Sequence, residues 1–399
     1  MNFERQSEIM STVMAICLEC GQAMSVESDS DYFVCNTCHS PNASSEGIDL
    51  YIAGCAKDGF ELSGTTLLEY SGPCIDVILP KEVAAIAPSA FAGRDDIRSI
   101  QASSSLEIIG DSAFYGCTAL CYAILPEGLL YIGNFAFYQC EALSSIYIPE
   151  SVEQIGSDAF FGCSALRSVK LPPKINMISD SAFGNCSALV GISIPGSVKS
   201  IGENAFSACT ALSIAILPES LEKIGDYAFQ RCTALREVYL PESLNYIGNG
   251  AFTSCISLSK AALPGAVEFI GEEAFYGCAS LEGIIIPGSV QKIEYRSFSK
   301  CERAESLIVN EGVEAINGSA FMACTSLKAA KLPETLNHIG HSAFAGCEEL
   351  EEINIPKSVA FIGDAAFSGC ASLASVDIAL RSVRILSAFL DTPWGMSGL

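Results

Sequence analysis

The feature that most constrains this chain is a phenylalanine that returns every 23 residues. It falls at Phe91, Phe114 and Phe137, and continues without insertion or deletion to Phe344 and Phe367. An alanine precedes it in every copy except at Ser297. A cysteine follows three residues later, from Cys117 to Cys370, and Arg94 takes that slot in the first copy. A fixed period of about 20–50 residues predicts a stacked-coil or propeller architecture, because one such unit cannot bury its own apolar face.

The full unit reads L-x-x-[IV]-x-[IL]-P-x-[SG]-[VL]-x-x-I-G-x-x-A-F-x-x-C-x-[AS]-L. In "LRSVKLP" the alternation points Leu166, Val169 and Leu171 inward as a short strand. Pro172 ends that strand because it has no amide hydrogen to donate. A second short apolar segment such as "VEQIG" follows, and its Gly is free to take positive φ. "SDAFFGC" reads as a helical or 3₁₀ turn whose Phe fills the wide end of the coil. Coils stacked about 4.7–4.9 Å apart give a rod or shallow arc of roughly 60–70 Å. The expected fold is thus an α+β repeat solenoid of thirteen or fourteen coils, with short strands and helical turns.

The segment "IPESVEQIGSDAFFGCSAL" (Ile148 to Leu166) resembles the BspA-like leucine-rich repeat. The resemblance covers roughly residues 60 to 394. It implies a leucine-rich-repeat fold and a habit of protein binding, and it carries over no catalytic residues. It divides the chain into an N-terminal module (1–39), a polar linker (40–57), an entry cap (58–80), the repeats (81–378) and a degenerate last coil (379–399). Phe60, Leu62 and Leu67 are candidates to cover the first coil, and Trp394 to close the last.

The twelve in-phase cysteines read as small buried free thiols. Disulfides between neighbours are the alternative, but parallel Cβ vectors one coil apart suit them poorly. Cys55, Cys74 and Cys121 lie off the repeat phase with no partner evident. The N-terminal module is different. "CLECGQAMSVESDSDYFVCNTC" places Cys17 and Cys20 in one CxxC and Cys35 and Cys38 in another. Two such pairs can set four thiolates around one structural Zn²⁺. The spacer is one residue short of the usual pattern, and a redox CxxC or two disulfides are the alternatives. The module resembles a zinc ribbon.

A net charge of −24 repels phosphate backbones, which argues against a nucleic-acid partner. Arg5 is the sole basic residue before Lys57, so the zinc-ribbon-like module has no positive patch of its own. No run approaches the length of a membrane span. The first twenty residues lack a basic segment followed by a clean apolar run of signal-peptide type. Nineteen cysteines, an odd number, point to a reducing compartment, hence to the cytoplasm. The family resemblance points instead to a surface or secreted protein.

No catalytic constellation is present, and His338 and His341 occupy ordinary surface slots. The variable slots are more informative. One outward line runs through Ile124, Tyr147, Ile216, Tyr239, Ile285 and Ile308. A second, before the Ile-Gly pair, includes Tyr131, Tyr246 and Phe269. Exposed apolar rows with aromatic anchors mark protein interfaces, although strand propensity alone also places such residues there. The reading is a non-enzymatic scaffold for a protein or peptide. A surface adhesin-type protein is the alternative. Nothing in the sequence sets the oligomeric state.

Overall fold

The computed structural model describes residues 12–16, 23–27, 32–34, 41–43, 59–378, 387–389 and 391–393. Residues 59–378 form a right-on-top stack of coils. Each coil carries a strand of three or four residues and a second strand of two. Strands of successive coils pair in parallel and in register: Ser99–Gln101 lies beside Tyr122–Ile124, and Ile108–Ile109 beside Tyr131–Ile132. The two strands of each coil therefore build two separate parallel sheets.

The core between them is a set of ladders of identical residues. The Phe of every coil is buried, and the rings stack on one another at 4.8–5.8 Å from Phe91 to Phe367. The Ile of the Ile-Gly pair and the Leu at the start of the unit form further buried columns. The entry cap extends the aromatic column. Phe60 packs against Tyr70 with ring centroids 4.8 Å apart, and Tyr70 against Phe91 at 5.4 Å, each pair tilted by 37°. These residues lie in an antiparallel hairpin, Phe60–Ser63 with Thr66–Tyr70, whose second strand pairs in parallel with Ala85–Ile86. Leu67 is fully buried and Phe60 packs against the core, whereas Leu62 is exposed. Tyr70 is the cap residue that the sequence pattern did not single out. At the far end Phe389 closes the column against Phe367 at 4.7 Å. Trp394 lies outside the described residues.

The helical turn is corrected: residues 59–378 contain no helix. The segment around each Phe has two left-handed residues, two before and two after the ring. In the first coil they are Ser89 and Gly93, with φ of 62° and 74°. Elsewhere bulky residues take the same conformation, such as Phe135 and Gln139. Alternating handedness aims every second amide at the next coil instead of back along a helix. Ser89, Phe91 and Gly93 donate to the carbonyls of Asp111, Ala113 and Tyr115 at 2.9, 2.8 and 2.7 Å. A left-handed non-glycine residue costs about 1–2 kcal/mol. The inter-coil hydrogen bonds offset that cost, so the turn edge is a third ladder built from backbone.

The glycine of the Ile-Gly pair is also corrected. It does not adopt positive φ; it is needed because the previous coil is too close. A Cβ on Gly110 would lie 2.7 Å from the Ile86 carbonyl oxygen, and one on Gly156 2.5 Å from the Asn134 nitrogen. Ala87 and Asn317 fill that slot and their strands still pair on both sides, but Ser179 coincides with a break. At Ser179 the hydroxyl donates to the Ile155 carbonyl, and the strands Gln154–Ile155 and Met177–Ile178 no longer pair.

The N-terminal residues contribute two antiparallel pairs, Thr12–Ile16 with Ala23–Glu27 and Tyr32–Val34 with Pro41–Ala43. Cys17, Cys20, Cys35 and Cys38 lie outside the described residues.

Candidate binding face and an inert thiol column

The ladder cysteines are placed for structure. All twelve are free and buried. Each thiol donates to the carbonyl of the Phe one coil earlier: Cys117 to Phe91 at 3.1 Å, Cys232 to Phe206 at 3.2 Å, Cys370 to Phe344 at 3.2 Å. That carbonyl already accepts the amide three residues on, so the thiol satisfies its second lone pair. Burial pushes Cys117, Cys209 and Cys255 up to about 12. At neutral pH these thiols are not thiolates, hence neither nucleophiles nor metal ligands.

Arg94 explains its own presence in the cysteine slot. The neighbour below is the cap hairpin, not a coil. The guanidinium reaches two cap carbonyls, Tyr70 at 3.0 Å and Gly72 at 2.8 Å, and lies 5.0 Å from the Tyr70 ring centroid. Asp96 holds the other edge of the fork at 2.8 Å. That pairing raises the Arg94 pKa and lowers that of Asp96.

His338 and His341 are likewise engaged in contacts between coils. His338 stacks on Phe361 at 4.6 Å, and burial, with His341 nearby, holds it below the usual imidazole range. His341 Nδ1 accepts the Asp364 amide at 2.9 Å, a role filled by Asp or Asn in other coils. Among the described residues no group of three or more His, Cys, Asp or Glu is placed to hold a metal ion.

The exposed row is real but uneven. Tyr147 and Lys170 are cross-strand neighbours, as are Tyr239 and Ala262, and Ile285 and Ile308. Tyr239 is 82% exposed, and Ile216 and Ile285 are each 57% exposed. Ile124, Tyr147 and Ile308 are only half exposed. The two tyrosines differ for a visible reason. Tyr147 donates to Glu127 at 2.9 Å and lies against the edge, whereas Tyr239 stands clear of the surface. In the second row Tyr131, Tyr246 and Phe269 are half-buried, and Tyr246 stacks on Phe269 at 4.9 Å.

The structure adds Ile214, one strand position earlier on the same face, at 59% exposure. Ile214, Ile216 and Tyr239 line a shallow recess of about 590 Å³, with Arg236 and Glu237 at its side. Gly191 and Ser193 are the register partners of Ile214 and Ile216, and the missing side chain of one and the small one of the other leave one flank of this patch low. Ile214 was legible as an apolar residue in an outward slot; its neighbours' small size is what makes it stand out. Elsewhere, Tyr115, Tyr138 and Phe161 stack on the turn edge at 4.9 and 5.1 Å. Each ring face is mostly covered by the next, so this group presents edges.

The sequence model of the BspA type leucine-rich repeat region matches in six copies, over residues 67–190, 176–305 and 247–374. A leucine-rich repeat protein from Bacteroides ovatus is 27% identical over 82% of this chain and 93% of its own, with a TM-score of 0.62. A leucine-rich cell surface protein from Faecalibacterium prausnitzii is 27% identical over 81% of this chain and 88% of its own, with a TM-score of 0.50. No curated protein matches. Period, buried columns and matched model agree, and the chain belongs to the BspA-type leucine-rich repeat family.

Proposed function

We propose that this chain is a non-enzymatic binding scaffold that works outside the cytoplasm, holding a protein partner on the long-strand face around Ile214, Ile216 and Tyr239. The carrying observation is the exposure of that trio, which no packing requirement of the coil explains. Large apolar side chains in one patch with a free tyrosine are the usual anchors of protein interfaces. The export reading replaces the cytoplasmic one on two grounds. The similar Faecalibacterium protein is described as a cell surface protein. Cys74 is disulfide-bonded, which suits an oxidising compartment. The ladder thiols do not argue the other way, because burial protects them in either compartment.

The test is binding of the purified chain to a panel of host-surface and matrix proteins. Tyr239→Asp and Ile216→Asp are each expected to remove binding, and Tyr147→Asp to leave most of it. Equal binding by a folded Tyr239→Asp variant would discard this face.

The N-terminal module is proposed to hold one structural zinc through Cys17, Cys20, Cys35 and Cys38. Each CxxC pair falls in the chain segment that joins two antiparallel strands, the sequence position of a zinc knuckle. Metal analysis decides it: about one zinc per chain is expected, lost in Cys35→Ala/Cys38→Ala while the solenoid's thermal transition stays in place.

A further inference from the structure

We infer that the solenoid contains a hinge between the coil of Phe275 and the coil of Phe298. Each junction between coils can be crossed by two strand ladders. From Asp76 to Ile362 at least one of them is continuous at every junction but this one. Here both stop. Lys260–Ala262 does not pair with Gly283–Ile286, and Phe269–Ile270 does not pair with Lys292–Ile293. By contrast the interruptions near Ser179 are staggered, so one sheet always carries across.

Three departures from the repeat unit coincide at this junction. Glu294 stands where the unit has Gly, and in other coils a Cβ at that site would press on the preceding backbone at 2.4–2.9 Å. Ala261 occupies the inward strand slot that holds Val238 and Ile284 in the adjacent coils, and it is only partly buried. Ser297 replaces the Ala before the ring, and its hydroxyl is buried with no hydrogen-bond partner. The separated short strands border a recess of about 620 Å³ between Phe269 and Lys292.

The turn edge, however, crosses intact. Glu273, Phe275 and Gly277 donate to the carbonyls of Tyr295, Ser297 and Ser299 at 2.9, 2.7 and 2.9 Å. Phe275 and Phe298 stack at 5.1 Å, and Arg296 pairs with Glu273 at 3.4 Å. On the sheet side the junction keeps the Glu282 amide bond to the Ser259 carbonyl at 3.2 Å and the Ser289 hydroxyl bond to the Val267 carbonyl, but no strand ladder, so the joint opens like a book about the more firmly held edge. The hinge also divides the outward apolar row between Ala262 and Ile285, so a partner touching both sides would fix its angle. That consequence rests on the proposed binding face; the hinge does not.

Hydrogen–deuterium exchange of the full chain tests it. Amides of 283–294 are expected to exchange about ten-fold faster than those of the equivalent segment 237–248. Glu294→Gly, which restores the unit, is expected to bring the rate down to that of its neighbours. Ala261→Val provides a second variant that fills the wall without touching Glu294, and it should slow exchange in the same segment. Equal protection of the two segments in the wild-type chain overturns the hinge. Fast exchange that persists in both variants overturns the assignment of its cause.

Discussion

The turn edge and the two sheets of this solenoid are made by the same repeat, yet they behave differently. The edge crosses every junction from Phe91 to Phe367 with stacked rings, thiol–carbonyl contacts and amide–carbonyl bonds. The sheets are cut in several places. The edge is interlocked three ways, so a change in one component leaves two others in place. In most coils the short-strand sheet brings the glycine's Cα so near the previous backbone that a Cβ there would crowd it, although the coils with Ala87 and Asn317 accommodate one. Near-uniform sequence at the edge and drift along the sheets follow from that difference in tolerance.

Raising the pH should break the edge most severely. Its thiols have folded pKa values above the unfolded value of about 8.5. The sign follows: above pH 8.5 the unfolded chain loses protons that the folded chain keeps, so stability is full below that pH and falls as it rises. Each buried thiol adds a slope of about 1.4 kcal/mol per pH unit. Denaturant midpoints at pH 7, 9 and 10 are expected to drop steeply, and a flat profile would show that the thiols titrate freely.

Phe229→Ala removes one ring from the middle of the column. A loss of about 3–5 kcal/mol is expected from the cavity and lost burial, read as a lower thermal or denaturant midpoint. Gly225→Ala attacks a sheet instead. Its Cβ would meet the Gly202 carbonyl carbon at 2.7 Å, so a cost of about 1–3 kcal/mol is expected, with faster amide exchange at Lys223–Ile224. If this substitution proves as costly as Phe229→Ala, the contrast between edge and sheet fails. Tyr239→Asp sharpens the comparison from the other side. An exposed side chain that only binds should change stability by no more than about 0.5 kcal/mol, and a larger loss would make Tyr239 part of the packing.

Much of the coil was legible beforehand because identical residues at a fixed period must stack. Leu166, Val169 and Leu171 point inward as alternation requires, and the twelve ladder cysteines are free as parallel vectors require. The helical turn was not legible. Left-handed φ usually announces itself through Gly or Asn, but here Glu273, Arg296 and Tyr227 adopt it, because the bond they gain lies 22 residues away. The candidate face was legible as a row and not as a patch. Tyr147 and Tyr239 occupy the same slot, and only the reach of Glu127 to one of them separates a held tyrosine from a free one.

The sequence by itself determined the repeat length, the register of the coils and the identity of the buried columns, because a repeat without insertions permits one stacking. Tertiary structure alone decided which local conformation the turn adopts, why glycine follows isoleucine and where the ladders fail. Those outcomes depend on how closely one coil's backbone approaches the next. That distance is set by the packed column of rings, not by any residue's own preference.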